Sequence, residues 1–131
     1  MLRSLFAVAA IGLCVLSLVG FGGATCQADE GRLLPGVYDV VGDAGDGKVY
    51  RGTAEVKEEG GCYAVKWTIG RQSYEGIGIR EGDVLAVTFR TEGSTGVAIY
   101  RIGEGSKLVG RWSGFGFKGV TFAEGWTPRG R

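Results

Sequence analysis

The 131-residue chain contains no histidine and no asparagine. Without histidine it lacks the commonest general base and the commonest transition-metal ligand. A serine nucleophile would have no imidazole to activate it, and neither Ser-x-x-Lys nor Gly-x-Ser-x-Gly occurs. Cys62 has no activating neighbour in sequence, and no spacing singles out a carboxylate pair. No catalytic constellation is therefore expected, and no metal or cofactor. Lys and Arg number 15 against 14 Asp and Glu, a net charge of +1 with no basic block. Nothing in that distribution points to nucleic acid or to an anionic membrane surface. No helical period of useful length occurs. There are three cysteines, too few for a dense disulfide framework, so stability has to come from burial and sheet hydrogen bonds.

What is present begins with an apolar leader. Arg3 precedes the uncharged, mostly apolar run Leu5 to Val19, and small residues follow up to Ala28. That order is that of a secretory signal peptide over residues 1–28, cleaved after Ala24 or after Ala28. It predicts export to the periplasm or the extracellular space. A retained membrane anchor is the competing reading, but the run is short for a spanning helix. Cys14 leaves with the leader. Cleavage after Ala24 keeps Cys26 and Cys62, which could form a disulfide; cleavage after Ala28 leaves Cys62 alone. Residues 29–35 read as a lead-in, and 36–131 as a single domain.

From Gly36 onward, short apolar-rich runs alternate with glycine-bearing turns. The runs are Val37–Val41, Val49–Lys57, Cys62–Ile69, Ser73–Arg80, Val84–Arg90, Val97–Ile102, Leu108–Ser113 and Val120–Trp126. The turns are too short for crossover helices, so sequence neighbours should pair as an antiparallel meander. Closing eight strands into an up-and-down barrel removes both sheet edges and buries one face. A β-sandwich is the alternative. The pattern Gly-x-Tyr-x-Val, turn, Tyr-x-Gly recurs from Gly36 and from Gly61, with a fainter copy from Gly96, as though one hairpin unit were reused.

Alternation assigns faces. The third run places Tyr63, Val65, Trp67 and Ile69 on one side and Lys66 and Thr68 on the other, which makes the first set the inner one. The same logic turns Gly52, Gly76, Gly78 and Gly110 inward among aromatics. A small barrel has too little interior room for a bulky side chain at every such site, and Trp67 or Tyr50 is expected to fill the gap at Gly76 and Gly78. Unless a glycine bulge reverses the register of the fourth strand, Ile77 and Ile79 then face out. With Val84, Ala86, Val97, Ile99 and Val109 they would form an outer apolar stripe.

Three features carry functional expectations. The inward aromatics Tyr38, Tyr50, Tyr63, Trp67, Tyr74, Tyr100, Trp112 and Trp126 surround an interior that eight strands either just fill or leave able to hold one small ligand. Glu124 shares its face with Phe122 and Trp126, and a carboxylate inside the barrel would need a partner, for which Arg80 is the candidate. Phe115 and Phe117, in the glycine-rich last turn, either contact a partner or fold over a barrel end. The Asp43 and Asp46 loop is read as a hairpin turn and not a calcium site. The function expected is a noncatalytic binding module for a small apolar or aromatic ligand in the barrel. The alternative is a protein-interaction role, as adhesin, inhibitor or envelope component, through Ile77, Ile79, Val97, Ile99, Phe115 and Phe117, including self-association.

The segments YRGTAEV, GGCYAVKWTIGRQSYEGIGIREGDVLAVTF, GVAIYRI and KLVGRW together resemble a group of small exported bacterial proteins, some labelled fibronectin-binding protein. The resemblance runs from Gly36 to about Trp126 and implies an exported β-protein with no established catalytic residues. In outline the meander also resembles avidin- and lipocalin-type barrels.

Overall fold

The computed structural model describes residues 34–130; the leader, Cys26 and most of the lead-in lie outside them. Eight strands follow one another: β1 Gly36–Gly45, β2 Lys48–Glu59, β3 Cys62–Ile69, β4 Gln72–Glu81, β5 Val84–Thr91, β6 Ser94–Ile102, β7 Leu108–Gly114 and β8 Phe122–Pro128. Each pairs antiparallel with the next, and β8 returns to β1. This closes the barrel and rules out the sandwich. Two-residue turns join β3 to β4 and β4 to β5. Each opens on a glycine with positive φ, Gly70 and Gly82, as hairpins matched to strand twist require. There are also two short 3-10 turns, Glu104–Ser106 and Phe115–Phe117. The second shortens the last strand from the expected Val120 start to Phe122. The Val120 amide donates to the Phe117 carbonyl at 3.0 Å, and its own carbonyl accepts from Ser113 Oγ at 2.6 Å, so Val120 is spent on the turn.

The period-two pattern survives in the burial. In β1, Tyr38, Val40 and Gly42 are buried while their neighbours are exposed, and in β6 Gly96, Ala98, Tyr100 and Ile102 alternate in the same way. The register of β4 against β3 and β5 is unbroken, so no bulge reverses it. Ile77 and Ile79 accordingly point outward, at 57% and 62% exposure. They adjoin Val97 and Ile99 through Thr88 and Ala86, beside a row of alternating charges formed by Glu55, Lys66, Glu75 and Arg90.

The two ends of the barrel differ. One is packed with Leu34, Val56, Val65, Leu85, Ile102 and Leu108, all essentially inaccessible. Burying each such side chain contributes about 1.5–3 kcal/mol. Leu34, read from sequence as part of a lead-in, belongs to this core. The Tyr38 hydroxyl donates to its carbonyl at 2.7 Å, pinning the entering chain across the barrel floor. The other end, which carries the β1–β2, β3–β4, β5–β6 and β7–β8 connections, is where the interior opens.

Candidate functional site

Glu124 sits midway along the barrel, 6% exposed. Its surroundings follow from register. One row of cross-strand partners runs Tyr100, Gly110, Glu124, Gly42, Tyr50 through β6, β7, β8, β1 and β2. A glycine stands on each side of the carboxylate, and beyond each glycine stands a tyrosine. A Cβ on Gly42 would fall inside the Tyr50 ring, and one on Gly110 would strike the Tyr100 ring and the Ile99 carbonyl. The missing side chains let both rings lie across the intervening strand and bring their hydroxyls to Glu124.

Two indoles complete the shell. Oε1 accepts from Tyr100 Oη at 2.6 Å, Trp126 Nε1 at 2.6 Å and Trp67 Nε1 at 3.3 Å, whereas Oε2 accepts from the Tyr50 hydroxyl alone. All four donors are uncharged. Arg80, the partner expected from sequence, is not among them; its Nε donates to the Gly82 carbonyl at 2.8 Å. Arg80 lies near the closed end, opposite Leu85, whereas the row holding Glu124 is placed by barrel closure. Burial pushes the phenol pKa of Tyr50 and Tyr100 well above its ordinary value, and the Glu124 charge and the hydrogen bonds to it add to the shift.

Above Glu124 the barrel is hollow. A cavity of about 430 Å³ opens toward the β5–β6 and β7–β8 end. Tyr50, Trp67, Tyr74, Phe89 and Trp112 wall it, Phe117 stands at the mouth, and Glu124 and Tyr100 form the floor. The rings pack edge to face: Trp67 on Phe89 at 6.0 Å, Phe89 on Trp112 at 6.0 Å and Trp112 on Phe117 at 5.3 Å. The Trp112 Nε1–H is buried without an acceptor.

Of the nine ligand residues named from sequence, the structure brings Tyr50, Trp67, Tyr74, Tyr100, Trp112 and Glu124 to this cavity. Tyr38 and Trp126 lie in the solid core, and Tyr63 flanks that core at the closed end, opposite Gly78. Phe89 and Ile69 also line the cavity; strand alternation turns both inward, Phe89 in step with Leu85 and Val87, but which inward positions flank a void is not a local property. Among the residues named for an interaction surface, Ile77, Ile79, Val97 and Ile99 lie on the outer wall and Phe115 is 89% exposed, whereas Phe117 belongs to the cavity mouth. Trp67 fills the space over Gly76, while Leu85 and Val87 fill that over Gly78; Tyr50 covers Gly42 instead. Asp43 accepts from the Gly45 amide at 2.8 Å within its turn. Among the described residues Cys62 has no disulfide partner; Cys26, its proposed partner, lies outside them.

Comparison with family models and with curated proteins returns no match. Solved structures do match in fold. One is a de novo designed fluorescence-activating β-barrel, 17% identical with a TM-score of 0.54. Another is a redesigned β-barrel bound to DFHBI, 15% identical with a TM-score of 0.55. Each alignment covers 73% of this chain and 94% of the designed one. At these identities the likeness is one of fold.

Proposed function

We propose that the protein is an exported, noncatalytic binding barrel that holds a small aromatic or apolar ligand in its open end. The observation that carries this reading is the asymmetry of the interior. One half is packed solid, and the other keeps about 430 Å³ behind aromatic walls. Small-ligand sites run to about 300–1,000 Å³ and combine apolar walls with a few placed polar groups. Two designed barrels of similar fold, one fluorescence-activating and one bound to DFHBI, support this reading. Export rests on the leader preceding the barrel.

The test is titration with N-phenyl-1-naphthylamine, a neutral dye that brightens in apolar surroundings. Saturable enhancement at one dye per chain is expected. It should be weakened about tenfold by Trp112→Leu, which removes an aromatic wall, and left unchanged by Ile99→Lys on the outer wall. Absence of saturable enhancement in the folded wild-type protein would overturn the reading.

A further inference from the structure

We propose that the ligand of this cavity is a cation, an aromatic or apolar body carrying a protonated amine or comparable nitrogen that docks on Glu124 Oε2. The inference rests on the cavity being a ligand site and adds the charge of its occupant.

Among the fifteen lining residues Glu124 is the only charged one. A buried carboxylate is normally matched by a cation or a metal, and no salt bridge to Glu124 occurs among the described residues. Its four neutral donors stabilise the charge without cancelling it. They are also unevenly shared. Three converge on Oε1 and one reaches Oε2. Each carboxylate oxygen offers about two acceptor positions, so Oε1 is crowded with donors while Oε2 keeps one position unfilled. Its single donor, Tyr50, is itself a wall of the cavity.

The walls favour the same charge. The faces of tryptophan, tyrosine and phenylalanine attract cations, more strongly when water is excluded. Trp67, Tyr74, Phe89 and Trp112 surround the space above the carboxylate. Asp43 near the mouth adds a second negative charge, close enough to oppose ionisation of Tyr50. An anionic ligand would meet this field with no cationic residue in the cavity lining to offset it.

The experiment compares three ligands on one ring system: 2-naphthylmethylammonium, the neutral 2-ethylnaphthalene and the anionic 2-naphthoate. Each is read by displacement of N-phenyl-1-naphthylamine at pH 7. The cation is expected to bind roughly tenfold or more tighter than the neutral compound, and the neutral compound tighter than the anion. Glu124→Gln should collapse the series to near equality. If that variant does not fold, Tyr50→Phe serves instead. By withdrawing one donor it leaves the carboxylate less compensated and should widen the gap between cation and neutral compound. Equal or weaker binding of the cation by the wild-type protein would overturn the charge assignment while leaving the ligand site standing. If the dye itself does not bind, the ligand-site reading fails and this inference fails with it.

Discussion

Gly42 contributes no side chain, yet the geometry at Glu124 depends on it. The three atoms nearest a Cβ at Gly42 all belong to Tyr50, and the backbone there lies outside the left-handed region. Gly42→Ala therefore brings no backbone strain and acts first by displacing Tyr50 from Glu124 Oε2. Losing a hydrogen bond to a charged acceptor costs about 1.5–3 kcal/mol, which urea denaturation resolves. A change under about 0.5 kcal/mol would show that Tyr50 does not need the notch. Gly110→Ala should cost more, because its new methyl would also strike the Ile99 carbonyl. The alternation of Gly110 and Tyr100 with other inward residues is visible in sequence. The row that strings two glycines and two tyrosines around one glutamate is not. It joins β8 to β1, the first and last strands, and so exists only once the barrel has closed.

At the scale of elements, the 3-10 turn Phe115–Phe117 separates two adjacent aromatics by function. Phe117 packs on Trp112 and on Phe122, at ring separations of 5.3 and 4.9 Å, and roofs the mouth of the cavity, whereas Phe115 points away. Phe117→Ser should therefore speed release of bound N-phenyl-1-naphthylamine by about tenfold in stopped-flow displacement, and Phe115→Ser should leave the rate unchanged. Equal effects would mean that the turn does not gate the mouth. Sequence alone does not separate these two rings, since both fall in the glycine-rich segment from Gly114 to Gly119 and no strand period extends through the turn. Where the period does extend, it was informative. The inward sets of β1, β3, β5 and β6 follow from alternation alone, because side-chain direction in a strand is a local property. The depth of the cavity is not local. It depends on Leu34 and Tyr38 plugging the opposite end, which is why Tyr63 and Trp126 were grouped with the ligand residues and Phe89 was not. Arg80 was matched to Glu124 for a similar reason, since two inward residues on distant strands say nothing of their separation along the barrel axis.

For the molecule as a whole, two phenols held against one carboxylate make stability sensitive to alkali. Tyr50 and Tyr100 have pKa values in the fold well above the ordinary tyrosine value near 10, first through burial and then through the Glu124 charge. Below pH 10 both states keep these protons, so the contribution is fully present and flat. Above pH 10 the unfolded chain releases them while the barrel retains them, and stability falls as pH rises. Each retained proton sets a slope of about 1.4 kcal/mol per pH unit, so the pair gives roughly 2.7. Lysines also titrate in this range, so the informative quantity is a difference between variants. Urea denaturation of the wild type and of Tyr50→Phe from pH 9 to 11.5 should show the wild type losing stability more steeply above pH 10, the difference in slope rising toward a ceiling of about 1.4 kcal/mol per unit and held below it by solvent around the partly buried phenol. Parallel curves would mean that Tyr50 ionises in the fold as readily as in the unfolded chain. The carboxylate would then lack this partner, and the floor of the cavity would be arranged differently.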